Sequence, residues 1–355
     1  MNARKTKEFH TAVKDNKLEK AKALWAEYPG IIDINAQFGD GLWFSPLHHA
    51  AENCNQDMVS FLLDAGADID AKTYDGETAL DLCKDPEEYA RINNVLKTRA
   101  AFINAVRTGN IGYAAHLLKD KGAKINLGDR NGRTALYHAV TVPVPETISA
   151  EKKEKMVRFL LQNGANPDAL TPDGTPLHNA AMRDDLPVMA LLLDAGSHIE
   201  ARNIHGNTPI FMAVGRGNMK TFAFLLSQGA NSHARGGHNR TLLHRAAEKG
   251  QVAMMNHLME NFGMGKHLNA QDDEGRTPLY LAAQSKRMDA LHFLLAQPGI
   301  RYLAGTDGQT PAGATSNPEV RALLEPLEKE FRDRLAANTR KAKRKTAPAP
   351  KPAGC

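Results

Sequence analysis

Histidine is the residue type in this chain that could most readily carry chemistry. His233, His238 and His244 lie close together in the sequence, and imidazole nitrogens are common ligands of zinc. A zinc site needs three or four ligands that converge tetrahedrally at about 2 Å. The spacing of these three histidines matches no known ligand pattern. The sequence therefore predicts no metal site and no cofactor.

A second cluster combines two histidines with a thiol, in His48, His49 and Cys54. A catalytic thiolate would need an imidazole base, a third group that orients the imidazole, and a pocket. The sequence specifies neither the third group nor the pocket. It also contains no glycine-rich phosphate loop, no Cys-x-x-Cys pair and no nucleophile elbow. We therefore expect a protein that is not an enzyme.

Residues 173–203, which read DGTPLHNAAMRDDLPVMALLLDAGSHIEARN, show the elements that must position such side chains. Thr175 is a favourable N-cap and Pro176 a favourable first helical residue, so a first helix begins here. A second apolar stripe starts at Met189 and has the i, i+3, i+4 spacing of one buried helix face. Gly196 predicts the left-handed end of this second helix.

The same signature recurs along the chain with a period of thirty-three residues. Cap residues stand at Thr134, Thr175, Thr208, Thr241, Thr277 and Thr310. The wider spacing after Thr134 reflects an insertion at 141–152, where Val-Pro-Val-Pro predicts a loop. A unit of two short helices cannot bury its apolar face alone, so the sequence predicts a stack of such units.

The period breaks near residues 97–102, after a unit that starts at Thr78 and whose second helix we expect to end near Leu96. We predict two arrays, over 1–98 and 99–337, with capping helices at the start of the first and the end of the second. Both arrays open with a Phe-x-x-Ala-Val helix and close with a helix, a loop and a Pro-Glu helix. The segment 338–355 contains six Lys and Arg, no acid and little apolar content, which predicts a disordered basic tail.

These repeats resemble the ankyrin family. The resemblance covers about residues 5–337 and is carried by the copies SPLHHAA, GTPLHNAA, GNTPIFMAV, RTLLHRAA and RTPLYLAA. It implies an all-α ankyrin-repeat solenoid of about ten stacked helix-turn-helix units with short β-hairpin fingers. It also implies that His48 and His244 fill a motif position whose histidine bonds neighbouring backbone.

The resemblance further implies that finger tips and first helices line a concave groove that contacts a partner protein. The positions that it assigns to the partner are Trp43, Phe44, Tyr74, Arg130, Arg133, Met182, Arg183, Ile204, His205, Arg216, Arg240 and Arg276. Leu42-Trp43-Phe44 is distinctive, because three large apolar residues occupy a loop that is two residues longer than its counterparts. One or two of them are exposed for binding, or the loop folds back over Trp25 and the first helix pair.

The charge balance limits the class of partner. The net charge is +5, but without the six tail cations 39 basic residues face 40 acidic ones. We expect a monomeric, cytoplasmic protein-binding module without a membrane span. Three scattered cysteines fit a reducing compartment. The alternative is a scaffold whose basic tail makes weak contact with nucleic acid or an acidic surface, or acts as a targeting signal.

Overall fold

A computed structural model describes residues 2–28, 31–37, 43–129, 131–143 and 148–346. Within these ranges the regular elements are seventeen α-helices and two short 3-10 helices, without a β-strand. The all-α fold predicted from the sequence is therefore confirmed. Contacts between residues divide the chain into two compact units, Met1–Ile204 and His205–Cys355.

The first unit contains successive pairs of helices, most of them joined by short turns. Its helices are α1 Asn2–Lys14, α2 Leu18–Glu27, α3 Pro46–Glu52, α4 Gln56–Asp64, α5 Pro86–Arg107, α6 Ile111–Asp120, α7 Ala135–Thr141, α8 Ala150–Gln162, α9 Pro176–Met182 and α10 Leu186–Asp194. The insertion predicted as a loop at 141–152 lies mostly between α7 and α8, but residue 141 belongs to α7 and residues 150–152 belong to α8, and 144–147 fall outside the described residues.

The second unit continues the pattern in its own set of helices. They are α11 Pro209–Arg216, α12 Met219–Ser227, α13 Leu242–Lys249, α14 Val252–Asn261, α15 Pro278–Gln284, α16 Met288–Leu295 and α17 Pro318–Thr346. The 3-10 helices Gly237–Asn239 and Met264–His267 lie in the connections before α13 and α15.

Local cap chemistry sets the ends of these helices. The side chain of Thr134 accepts a hydrogen bond from the backbone N–H of Tyr137, which satisfies an unpaired donor of the first turn of α7. Thr175 and His178 form a reciprocal capping box at the start of α9. Gly196, with φ of +89°, follows the last turn of α10 in the left-handed conformation that was expected.

The two helices of a pair differ in how they fill the core. In α9 the buried residues include Ala180 and Ala181, whose small side chains let neighbouring first helices approach closely. In α10 the buried stripe contains Met189 and Leu192, both without exposed surface. In this pair the first helix thus provides a surface of small residues, and the second helix supplies bulky apolar groups.

The fingers, defined here as the turns that precede each cap residue, are simpler than the expected β-hairpins. In the described fingers an isolated bridge joins Thr171 and Gly174, and Phe44 also takes part in a bridge. Elsewhere a single pair of residues closes the turn, as where the N–H of Thr73 donates to the carbonyl of Glu77 at 2.8 Å. One such bond is too few to build a ladder between strands.

Two segments that resemble other first helices are turns in the structure. Residues 79–82 and 311–314 form turns, and each is followed by a long helix, α5 or α17. The expectation that a helix ends near Leu96 is wrong, because α5 runs on to Arg107 without interruption. The division into arrays at residue 98 stays a prediction, as does the count of about ten units.

The backbone of the basic tail also differs from the prediction. The backbone is helical through Thr346, so residues 338–346 do not have the predicted disorder, and 347–355 lie outside the described residues. Alanine, lysine and arginine have high helix propensity, and extending an existing helix avoids the cost of nucleating a new one.

Candidate functional site

The motif histidines act in helix capping. The backbone N–H of Ser45 donates to Nδ1 of His48 at 3.1 Å, and the hydroxyl of Ser45 lies 2.7 Å from the same nitrogen. Because Nδ1 accepts, Nε2 carries the proton and donates to the carbonyl of Glu77, 3.3 Å away in the next finger. His48 thus joins its own helix start to the following unit. Nearby, the thiol of Cys54 donates to the carbonyl of Glu52.

His244 repeats this arrangement in the second unit. Its Nδ1 accepts from the backbone N–H of Thr241 at 3.2 Å, and its Nε2 lies 3.1 Å from the carbonyl of Arg276. Burial lowers the pKa of His244 to about 4, so the neutral form that this bonding requires is the stable one. The imidazole is therefore a structural link between successive repeats.

The other two histidines of the first cluster have separate partners. His238 Nδ1 lies 2.6 Å from a carboxylate oxygen of Glu274, and the ring of His233 meets that of His267 edge-on at 6.3 Å between centroids. Within the described ranges, no group of three His, Cys, Asp or Glu side chains is placed to hold a metal ion.

Trp43 and Phe44 have opposite surroundings. The Trp43 side chain is 59% exposed, and its φ of +55° is a left-handed conformation that is uncommon outside glycine. Phe44 is half-buried, with its ring 5.0 Å from that of His49 and its carbonyl 3.0 Å from Nε2 of His10. Phe44 is therefore anchored by its neighbours, whereas Trp43 is presented to solvent. Leu42 lies outside the described residues.

Burial also affects the two imidazoles that contact Phe44. It lowers the pKa of His10 and lowers that of His49 to about 4, where the positive charge of Lys14 acts in the same direction. Both rings are accordingly neutral near pH 7, and they meet edge-on at 5.1 Å. The anchor of Phe44 is thus an aromatic and hydrogen-bonded contact without a formal charge.

Other assigned finger positions differ in their availability. Tyr74 is 76% exposed and Ile204 is 60% exposed, while His205 is exposed at the start of the second unit. Arg130 lies outside the described residues. Of the positions on first helices or at their ends, Met182 is half-buried and Arg183 and Arg216 are exposed.

The finger arginines, in contrast, are held by intramolecular ion pairs. An Nη2 of Arg133 lies 2.7 Å from the carboxylate of Asp173, to which the hydroxyl of Tyr137 also donates at 2.6 Å. Burial and this bond raise the pKa of Tyr137 to about 12, whereas the hydroxyl and guanidinium donors lower the pKa of Asp173. Arg133 therefore stabilises the contact between successive fingers.

Asp272 has the same role for the two arginines assigned in the second unit. Its carboxylate, which is fully buried, accepts from Nε of Arg240 at 3.1 Å and from Nε of Arg276 at 3.0 Å. Burial alone would raise the pKa of Asp272, but the backbone N–H of Arg276 and both guanidinium groups outweigh it and the pKa is lowered. The carboxylate is thus ionised and fixes both arginines.

Comparison with known proteins identifies the repeats. The family described as ankyrin repeats matches this chain in three copies, at residues 9–92, 147–235 and 231–304. These ranges include more than half of the sequence. The chain belongs to the ankyrin repeat family. Ankyrin repeats are protein–protein interaction modules.

Several curated ankyrin proteins are similar over part of their length. The B-cell lymphoma 3 protein homolog of Mus musculus is 31% identical over 181 residues, which span 46% of this chain and 38% of that protein. The putative ankyrin repeat protein FPV244 of fowlpox virus is 32% identical over 119 residues, 32% of this chain and 17% of the relative. The E3 ubiquitin-protein ligase XBAT32 of Arabidopsis thaliana is 29% identical over 205 residues, 56% of this chain and 38% of the ligase. The chain spans less than two fifths of each relative.

The structure also exposes one apolar residue that reasoning from the sequence missed. Leu170 is 54% exposed in a finger, where it lines a shallow groove of about 480 Å³ with Ile199 and Ala201. Its apolar side chain beside the Thr-Pro-Asp-Gly turn was the available signal.

None of the described helices combines the length and apolar character needed to cross a bilayer.

Proposed function

We propose that this ankyrin protein is a non-enzymatic module that binds a partner protein through its fingers and the adjoining ends of its first helices. The observation that carries the proposal is the presentation of Trp43, whose ring is 59% exposed beside the anchored Phe44. A side chain that follows such an anchored backbone loses little conformational freedom on binding, which favours affinity.

Tyr74 extends the same argument to the next finger of the first unit. Its side chain is 76% exposed, and tyrosine and tryptophan are enriched among interface residues whose truncation costs about 2 kcal/mol or more. Trp43 also has a left-handed backbone conformation. Such conformations cost about 1–3 kcal/mol outside glycine, and they cluster at functional sites. We therefore place the main anchor on the fingers that carry Trp43 and Tyr74.

The chain provides a matched control for this proposal. Tyr89 and Tyr113 are 46% and 45% exposed, but they lie on α5 and α6 and not in fingers. The experiment is quantitative affinity capture with the full chain, a Trp43→Ala, Tyr74→Ala variant and a Tyr89→Ala, Tyr113→Ala variant. We expect the finger variant to lose a partner that the helix variant retains. Equal capture by all three proteins would contradict the proposal.

The part of the proposal that excludes catalysis is supported by the bonding of the motif histidines. The imidazoles of His48 and His244 each use one ring nitrogen in a cap and the other on a carbonyl of the next finger. A general base needs a free nitrogen within hydrogen-bond reach of a substrate proton. Both ring nitrogens of these side chains are therefore used in contacts that join successive repeats.

A second, weaker function concerns anionic partners of the C-terminal helix. After Asp333 the sequence contains seven Lys and Arg residues and no acid, and the backbone of this segment is helical through Thr346. Such a basic helix favours weak, salt-dependent contact with nucleic acid or an acidic surface. Truncation after residue 337 should then abolish binding to a labelled RNA at low salt, and unchanged binding would exclude this function.

A further inference from the structure

Basic side chains surround one carboxylate on the first-helix surface of the second unit. Around Glu248, the Nη1 of Arg245 lies at 3.2 Å, the Nη1 of Arg240 at 3.6 Å and the Nζ of Lys249 at 3.6 Å. A fourth cation, Arg287, donates from Nε to the backbone carbonyl of Glu248 at 3.3 Å. We call Arg240, Arg245, Lys249 and Arg287 the basic cluster.

The carboxylates within the basic cluster do not balance its charge. Glu248 carries one negative charge and meets three cationic side chains. Arg240 also contacts Asp272, but that carboxylate is shared with Arg276. Cations held around one carboxylate repel one another at the effective dielectric of a protein surface. An additional anion would relieve this repulsion.

Packing fixes the cluster in place. A side chain added at Gly215 would come within 2.7 Å of Nε of Arg245, and one added at Gly250 within 3.1 Å of Arg287. Both arginines therefore lie across glycines of the preceding helix ends. The Nε atom of Arg245 is buried and has no hydrogen-bond partner among the described residues. The guanidinium groups are thus pre-positioned rather than free to reach other acids.

Exposure at the rim makes the cluster accessible. Arg287 is exposed and the side chain of Lys249 retains 38% of its surface. Arg216 is also exposed, and it follows Gly215 at the end of α11. Arg216 and Lys249 lie at the ends of the first helices α11 and α13, and Arg287 lies in the turn that follows the first helix α15. The ends of first helices are part of the surface assigned above to the partner.

We propose that the basic cluster binds an acidic segment of the protein partner, whose Asp or Glu side chains bridge Lys249, Arg245 and Arg287. This inference rests on the proposed protein-binding function and adds the chemistry of the segment that is bound. Fixed guanidinium groups pair with carboxylates in defined geometry, so they contribute specificity as well as attraction.

The surroundings favour a short acidic segment over a continuous polyanion. The cluster is bounded by Glu274, whose side chain is 40% exposed and contacts Arg276, and by the exposed Asp273. A nucleic-acid backbone that continued past the cluster would meet these carboxylates, and like charges at an interface disfavour binding. An acidic peptide can place neutral residues there.

The test is selection of peptides from a random display library on the full chain, followed by affinity measurement of the winners by fluorescence anisotropy. The variant is Lys249→Gln, Arg287→Gln. The control, Lys266→Gln, Arg301→Gln, removes the same charge from exposed positions of the same unit. We expect enriched peptides to contain Asp and Glu, and we expect the cluster variant to bind them roughly tenfold more weakly while the control changes little.

A second measurement uses only the unaltered protein, so it does not depend on how the variant folds. Replacing Asp and Glu by Asn and Gln in a selected peptide should weaken binding by a similar factor. Selection of neutral or basic peptides, equal affinity of both variants, or tighter cluster-dependent binding of RNA would overturn the inference. Partner capture that is lost in the Trp43→Ala, Tyr74→Ala variant but kept in the cluster variant would overturn this inference and leave the proposed function standing.

Discussion

Thr208 and Thr241 occupy equivalent cap positions in successive helix pairs, but only one of their hydroxyls has a partner. The hydroxyl of Thr241 lies 2.8 Å from Nδ1 of His244. At the corresponding position the first helix α11 has Phe211, and the hydroxyl oxygen of Thr208 is buried without a hydrogen-bond partner among the described residues. Both side chains are buried, with exposures of 1% and 5%.

Valine tests this difference, because it has the shape of threonine without the hydroxyl. Both backbones are extended, with φ of −92° and −81°, where a β-branched residue is favourable. A buried polar group without a partner costs about 1–3 kcal/mol, so Thr208→Val should raise the free energy of unfolding by about 1 kcal/mol. Thr241→Val removes a satisfied cap and should lower it by about 1–2 kcal/mol.

The assay is urea denaturation of the full chain followed by far-ultraviolet circular dichroism. The two variants should move the midpoint in opposite directions with an unchanged slope. If Thr208→Val destabilises the protein as much as Thr241→Val does, the hydroxyl of Thr208 has a partner and the reasoning is refuted.

Three further predictions concern pH, a buried ion pair and the long helix α5. Because burial lowers the pKa of His244 from its ordinary 6.5 to about 4, the unfolded chain takes up the proton first. The contribution of neutral His244 to the free energy of unfolding is therefore complete above pH 6.5 and falls by up to roughly 3 kcal/mol towards pH 4. Urea titrations at both pH values should show a smaller loss in His244→Gln than in the unaltered protein. Asp185→Ala should cost about 3 kcal/mol, because Lys153 is 5% exposed and its ammonium lies 2.6 Å from that carboxylate; a cost near zero in thermal unfolding would contradict the pair. Lys97→Pro should cost about 3 kcal/mol more than Lys97→Ala if α5 is continuous through its exposed position 97, and equal melting temperatures would indicate two separate helices.

The repeat and its caps could be predicted because they depend on local chemistry. Thr175 and Pro176 favour one backbone conformation at a helix start, and Gly196 favours one at a helix end. A period of thirty-three residues repeats these signals until they become unambiguous. The family could be predicted for the same reason.

The segments after Thr78 and Thr310 show where the same reasoning failed. In α9 and α10, the second helix begins eleven residues after the cap Thr175, whereas α5 and α17 begin eight residues after theirs. Three residues fewer remove nearly one helical turn. The residue before Pro86 or Pro318 is also disfavoured in the helical conformation, so a first helix cannot be completed. The sequence contained this spacing, but similarity to the motif obscured it.

The candidate site was only partly predictable, because the exposure of a side chain depends on contacts between neighbouring repeats. Adjacent Trp43 and Phe44 are both apolar, and only the packing of Phe44 on His49 distinguishes their roles. Arg240 and Arg276 looked like free cations in the fingers, but the buried carboxylate of Asp272, which comes from a different finger than Arg240, holds both. Ion pairs that join neighbouring repeats cannot be predicted from the sequence of one repeat.

The central claim is that Trp43 is buried by a protein partner, and fluorine NMR tests it most directly. The chain contains two tryptophans, Trp25 and Trp43, so 5-fluorotryptophan gives two resonances, which a Trp43→Phe variant assigns. Trp25 packs on Phe9 with ring centroids 6.0 Å apart and serves as an internal reference. On titration with the captured partner, we predict that the Trp43 resonance shifts and loses its dependence on H2O or D2O while that of Trp25 stays unchanged. A bound complex in which the Trp43 resonance keeps its position and its solvent dependence would contradict the account.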